Sequence, residues 1–285
     1  MKQTLIIFLI LLLTGSNASS QTPLWQTLSP VPPMPSADTS GFASVNGIRL
    51  YYAIFNRNAG RPVILLHGSL GSSDDWGFET PLLNKTHEVI VVDSRGRGRS
   101  TMSAQPMTLE IEASDILGLM DILKIRKASI VGWSEGGVIG LFLAIHAPGR
   151  IEKLLAFGAN YSVSSYSAKP LSAEMKVMGR RYLANAEATY RRLSPTPDGF
   201  HELLKALAAD STEPELTPTD LAKIKIPVVI ADGQYEQFIT QKETATLAHL
   251  IPGSKLVIIP NVSHGGPLQD PVGFHKVVVK LLDSD

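Results

Sequence analysis

The sequence predicts an α/β protein: a doubly wound, mostly parallel sheet that carries a helical cap insertion. Short, wholly apolar runs such as Val63-Ile64-Leu65-Leu66 and Val89-Ile90-Val91-Val92 have the character of strands buried on both faces, as strands of a parallel sheet are. Between and after them come segments with apolar residues at helical spacing, the alternation expected of a doubly wound sheet. From Asn160 to Lys225 that alternation stops, and about 60 residues of helical pattern take its place.

Composition bounds the rest. With 285 residues, 44% of them hydrophobic and 18% charged, the chain can bury the core of one α/β domain with an insertion. Lysine plus arginine equals aspartate plus glutamate at 26 each, so no global field draws in nucleic acid or an anionic membrane surface. Residues 1–20 read as a secretory signal peptide. Lys2 supplies the positive start, Leu5 to Leu13 the apolar run, and Ser16, Ala18 and Ser20 the small residues before cleavage near Ser20. Nine apolar residues fall far short of the roughly 20 that span a bilayer, so no stable membrane span is expected once the signal is removed. The chain has no cysteine, hence no disulfide and no thiol for lipid attachment; a periplasmic or secreted protein of a bacterial envelope is the expectation. Residues 21–43, rich in Pro, Ser and Thr, read as a linker or strap with nothing catalytic in it. The folded domain is expected over 44–285, with the cap at about 161–225.

In chain order, Ser44 to Phe55 alternates about Asn46-Gly47, a tight-turn dipeptide, and predicts two antiparallel edge strands. The strand Val63 to Leu66 ends in His67-Gly68-Ser69-Leu70-Gly71, a glycine-rich turn able to present the N–H of Ser69 or Leu70 at the sheet's mouth; His67 reads as structural rather than as a base. A helical stretch around Trp76 to Leu83 leads to Val89 to Val92 and then to Asp93-Ser94-Arg95-Gly96-Arg97-Gly98-Arg99-Ser100. This is no nucleotide loop: the third glycine is missing, no Gly-Lys-Ser/Thr occurs, and no helix follows. Its arginines read as a solvated turn with structural ion pairs. Thr108 to Ile125 predicts a helix over one face. Leu154 to Gly158, Ile226 to Ala231 and Lys255 to Ile259 predict further strands. In the cap, Tyr161, Tyr166, Met175, Met178, Tyr182, Tyr190 and Phe200 read first as the packing face of helices and second as the lining of an acyl pocket. Arg180, Arg181, Arg191 and Arg192 read as solvated.

The chemistry centres on Gly132-Trp133-Ser134-Glu135-Gly136-Gly137, which lies where the apolar strand Ala128 to Val131 gives way to the helical pattern Val138 to His146. In a strand–turn–helix of this form the serine is forced into a strained backbone, and the glycines two positions either side leave room for the neighbouring elements. Ser134 then stands at a helix N-terminus, where free N–H groups favour developing negative charge. The pattern is short, so its partners decide it. Of seven histidines, His264 alone lies in a loop just after a late strand, with Gly265 and Gly266 beside it. After the strand Ile226 to Ala231, Asp232 and Glu236 both offer a carboxylate. Glu236 is preferred, because a turn at Gly233 lets a side chain three residues on reach back toward the imidazole.

Four motifs, His67-Gly68-Ser69-Leu70-Gly71, Asp93-Ser94-Arg95-Gly96-x-Gly98-x-Ser100, the Ser134 elbow and Asn261-Val262-Ser263-His264, together resemble the α/β-hydrolase superfamily over about Gly41 to the C-terminus. Within it the chain is similar to small esterases, enol-lactonases and amino-acid-ester hydrolases whose elbow also reads Gly-Trp-Ser-acid-Gly-Gly. The resemblance implies Ser134 as nucleophile, His264 as base, Glu236 as acid where aspartate is commoner, and the N–H groups of Ser69 and Glu135 as oxyanion donors. It implies a small-molecule ester or lactone as substrate, with no cofactor and no metal. An acyltransferase, a cofactor-free perhydrolase and a ligand-binding protein that keeps the triad are the alternatives.

Overall fold

The computed structural model describes residues 22–209 and 214–284. The predicted signal peptide lies outside the described residues. Eight strands form one sheet in the order β1-β2-β4-β3-β5-β6-β7-β8. They are β1 Thr39–Val45, β2 Ile48–Phe55, β3 Val63–Leu66, β4 Val89–Val92, β5 Ala128–Trp133, β6 Ile151–Phe157, β7 Val228–Gly233 and β8 Lys255–Ile259. The pairs β1/β2 and β2/β4 are antiparallel and all others parallel. The expected hairpin is present, with Asn46 and Gly47 both at positive φ (42° and 78°), the tight turn that Asn-Gly favours. Two details differ from expectation. β1 begins at Thr39, inside the 21–43 segment read as linker, and β2 is an interior strand because it also pairs with β4.

The helices are α1 Thr80–Leu83, α2 Leu109–Ile122, α3 Glu135–His146, α4 Ala173–Leu193, α5 Phe200–Ala209, α6 Pro218–Leu221, α7 Gln241–Leu250, α8 Gly266–Gln269 and α9 Pro271–Leu282. Side chains alternate across each strand, so the sheet feeds two cores. One face packs Ile64, Leu66, Ile90, Val92, Ile130 and Leu154 against α2, α3 and α7. The other packs Leu65, Val89, Val91, Val131, Leu155 and Phe157 against α9 and the Trp76 turn. Helix α2 starts where Thr108 caps it, its hydroxyl accepting from the Ile111 N–H at 3.2 Å. Between β6 and β7 lie α4, α5 and α6, with a small core of Met107, Ala186, Tyr190, Phe200 and Leu203. No helix among the described residues is long and apolar enough to cross a membrane.

Close approach decides the geometry at the end of β5. A Cβ at Gly132 would sit inside contact with the Gly136 carbonyl, and one at Gly136 inside contact with the Leu66 carbonyl. Strand, turn and helix therefore nest only because both positions are glycine. The neighbours are backbone and cannot swing aside. Gly136→Ala is expected to cost about 3 kcal/mol or more and to lower Tm by roughly 10 °C, read by thermal and denaturant unfolding. A Tm within two degrees of wild type is incompatible with this packing.

Candidate active site

The turn between β5 and α3 holds Ser134 at φ 55°, ψ −123°, a left-handed backbone that a non-glycine residue adopts only under constraint. The constraint comes from the fold: the Ser134 N–H donates to the Phe157 carbonyl at 2.7 Å, and the Ser134 carbonyl accepts from Gly137 N–H at 2.8 Å. Phe157 ends β6, so two adjacent strands fix the serine.

The loop after β8 carries His264. Its ring Nδ1 lies 2.8 Å from Glu236 Oε2, and the Glu236 side chain is fully buried. The ring is positioned from several sides. Trp133 Nε1–H donates to the His264 carbonyl at 2.8 Å, the His264 N–H donates to Gln237 Oε1 at 3.2 Å, and Phe238 meets the ring edge-on at 5.0 Å. Gly158, at φ 62°, leaves the space the ring occupies, since a Cβ there would lie 2.8 Å from His264 Cε1. The sequence reading places Gly158 at the end of a strand and gives it no role at the site, because that contact is made only when β6 and the His264 loop meet.

The turn after β7 explains why Glu236 and not Asp232 reaches the ring. Glu236 N–H donates to the Gly233 carbonyl at 3.1 Å, which bends the chain back. Glu236 Oε1 then accepts from the Phe238 N–H at 2.7 Å. Burial would raise the Glu236 carboxyl, but the His264 ring and its hydrogen bond, with help from Asp232 and the Phe238 N–H, hold it below the ordinary carboxylate range. Asp232 stays within β7, wholly buried, accepting from Gly233 N–H and from Thr244 Oγ1–H at 2.7 Å. Burial first, and then the adjacent Glu236 charge, push Asp232 well above that range.

Under the turn after β3 the arginine motif faces inward. Arg95 and Arg97 are buried, not solvated as the sequence reading expected. Arg95 forks onto Asp115 with two bonds of 2.7 Å. Arg97 pairs with Glu112 and Glu135, and its Nε–H donates to the Ser69 carbonyl at 3.0 Å. One guanidinium thus ties the Ser69 turn to the residue that follows Ser134. Burial pushes Glu112 well above the ordinary range despite Arg97. Burial also opposes ionisation of Glu135, but Arg97, Glu112 and the Ser69 hydroxyl outweigh it and hold that carboxyl low. His67 is structural, as read: buried, with Nδ1–H donating to the Gly68 carbonyl at 2.7 Å and Nε2 accepting from Ser94 N–H at 3.0 Å.

Ser134, His264, Ser69 and Gly68 border one cavity of about 330 Å³. The rest of its lining is largely apolar, with Leu70, Met175, Met178, Tyr182, Leu183 and Phe238. The cap residues divide between the two roles foreseen for them. Tyr166, Met175, Met178 and Tyr182 line the cavity, whereas Tyr190 and Phe200 pack within the cap and Tyr161 donates to Glu243 at 2.9 Å. Among the described residues no group of three or more His, Cys, Asp or Glu side chains is arranged to hold a metal ion.

A profile of the alpha/beta hydrolase fold matches residues 61–204, half of the chain. The chain belongs to the α/β-hydrolase family. This hydrolase is 28% identical to the human serine hydrolase BPHL over 257 residues, covering 86% of each chain. It is 25% identical to 3-oxoadipate enol-lactonase 2 of Acinetobacter baylyi, covering 82% of this chain and 93% of that one. The crystal structure of the enol-lactonase from Burkholderia xenovorans superposes with a TM-score of 0.69 at 25% identity, covering 85% of this chain and 100% of that one.

Two outcomes follow from the electrostatics of this α/β hydrolase. Removing the cation in Arg97→Met leaves Glu135 ionised and buried without its partner, an expected loss of about 3–5 kcal/mol in denaturant unfolding; adding Glu135→Gln to it should recover most of that loss. Asp75 lies beneath the turn after β3, and burial pushes it up to about 7. An acid with a raised folded-state pKa holds its proton more tightly when folded, so it lowers stability as pH climbs from about 4 to about 7. Asp75→Asn removes that titration, and its Tm relative to wild type should rise by several degrees from pH 5 to pH 8. An unchanged difference between the two pH values excludes it.

Proposed function

We propose that the protein is a serine hydrolase that cleaves a small-molecule carboxylic ester or lactone through an acyl-enzyme on Ser134. One observation carries this reading. A serine held at φ 55° borders the same cavity as a histidine whose Nδ1 is 2.8 Å from a buried carboxylate. Its chemistry follows from the roles such groups play. Glu236, ionised, fixes the tautomer that places the Nδ1 proton toward itself and leaves Nε2 free to take the Ser134 hydroxyl proton. Ser134 Oγ attacks the carbonyl carbon, and the tetrahedral oxyanion is met by the backbone N–H groups of Ser69 and Glu135. Each such donor is worth roughly 3–4 kcal/mol. Imidazolium returns its proton to the leaving alcohol; a water activated by the same base then releases the acid and frees Ser134.

Several features support the pieces. Glu135 opens α3, so its N–H is one of the unpaired donors of a helix start. Gly68 comes so close that a Cβ there would lie 3.2 Å from Ser134 Cβ, which brings the next residue, Ser69, beside the nucleophile. The apolar wall suits an uncharged acyl or alkyl group. The names of the relatives, a serine hydrolase and two enol-lactonases, agree with ester and lactone chemistry. We also place the mature protein outside the cytoplasm, on the strength of Lys2 and the Leu5 to Leu13 run; cell fractionation with N-terminal sequencing checks this.

The test is hydrolysis of p-nitrophenyl esters of rising chain length, with variants beside wild type. Ser134→Ala should lose about 10⁴-fold or more in kcat. Glu236→Gln should approach that loss, while Asp232→Asn should lose far less, since its carboxyl does not reach the ring. Equal losses in the two acid variants would reverse that assignment. A Ser134→Ala variant as active as wild type refutes the mechanism.

A further inference from the structure

Residues 22–37, part of the 21–43 segment that the sequence marks as a linker or strap, are folded against the catalytic loops. Leu24–Gln26 form a single 3-10 turn, closed by Gln26 N–H and Thr27 N–H on the carbonyls of Pro23 and Leu24, each at 2.9 Å. Trp25 stacks on Tyr235 at 4.9 Å, and Tyr235 directly precedes Glu236. Gln269, buried, donates from Nε2 to the carbonyl of Thr27 at 2.9 Å and of Trp25 at 3.3 Å. The same side chain accepts from the N–H of Ser263 at 2.7 Å, and Ser263 directly precedes His264. One amide therefore bridges the strap to the loop that carries the base. Further on, Val31 and Met34 pack into the core that includes Trp76. Gly77 is bare where the Pro32 carbonyl crosses it: a Cβ there would overlap that oxygen. Between these two anchorages lies Leu28, and Leu28 borders the cavity that holds Ser134 and His264.

We propose that this N-terminal strap completes the substrate pocket, with Leu28 as a specificity-determining residue and Trp25 as the positioning residue that keeps it there. Leu28 lines the cavity together with Met175, Met178 and Leu183, and the strap's 3-10 turn packs against α4, so Leu28 closes the apolar wall and limits the length of the acyl or alkyl group of the ester. The backbone of Trp25 and Thr27 is hydrogen-bonded to Gln269 and the Trp25 ring is stacked on Tyr235, so the wall has a fixed position relative to the catalytic pair. A leucine on a hydrogen-bonded strap sets a sharper limit than one on a loose tether, because its displacement breaks polar bonds as well as apolar contacts. The proposal rests on the serine-hydrolase reading.

The experiment compares kcat/KM on p-nitrophenyl octanoate and acetate for the full chain and four variants. Leu28→Ala enlarges the pocket and should raise the octanoate-to-acetate ratio about fivefold or more; Leu28→Trp fills it and should lower the ratio by a similar factor. Trp25→Ala, which touches the cavity nowhere, should move the ratio in the same direction as Leu28→Ala, and Trp25→Phe, which keeps a ring on Tyr235, should restore it. Labelling of Ser134 by short- and long-chain alkyl fluorophosphonates reads the same pocket without turnover. If wild type hydrolyses neither ester and Ser134 is not labelled, the hydrolase reading fails. Should wild type be active while all four variants keep its chain-length ratio within twofold, the hydrolase reading survives and the strap proposal is overturned.

Discussion

The close approach of backbone at the elbow is the constraint on which the site depends. A left-handed serine costs of order 1–3 kcal/mol, and it persists because the surrounding structure allows no relaxation. The Gly132 and Gly136 contacts seat α3 against β3 and β5, and the Phe157 carbonyl holds the Ser134 amide from the next strand. The energy of two hydrophobic cores, one on each sheet face, is thereby applied to a single turn. Ser134 is raised to the end of the sheet because every alternative position would require these cores to part.

Beneath that turn the polar groups are organised as paired charges. Asp93 accepts the N–H groups of Ser73 and Arg99 at 2.7 Å each, Arg95 is matched by Asp115, and Arg97 by Glu112 and Glu135. Buried ion pairs add little net stability, but they are intolerant of rearrangement, since any shift strands a charge. That suits a floor beneath the two turns proposed to supply the oxyanion donors. Arg97 links the Ser69 carbonyl to the Glu135 carboxylate, so the two turns proposed to cradle the oxyanion move as one body.

The upper half of the site is built differently, from apolar surface and chain ends. β7 and β8 deliver Glu236 and His264 on short turns; α4 supplies Met175, Met178 and Tyr182; and the strap supplies Leu28. The turns after β7 and β8 join the Ser134 elbow in the proposed chemistry, whereas α4 and the strap bound the cavity. The Gln269 side-chain amide ties the strap to the loop that carries His264.

Much of this was readable from the chain. Apolar runs of four residues gave the parallel strands, Asn46-Gly47 gave the hairpin, and the spacing of glycines around Ser134 gave the elbow, because each rests on local sterics or on the burial period of one element. Glu236 was reachable by the same kind of argument, since a turn at Gly233 is a local event. The inward turn of Arg95 and Arg97 was not, because their partners Asp115, Glu112 and Glu135 lie on other elements and burial of a charge depends on where those elements dock. Nor was the role of Gly158, or the place of Leu28 in a segment without periodicity. The sequence by itself determined the elements, their order and the residues able to do chemistry, since propensity, period and turn sterics act over a few positions. Only the tertiary structure decided which side chains share the cavity, which charges are buried together and what the strap touches, because those contacts join positions up to more than 200 residues apart, as Thr27 and Gln269 are.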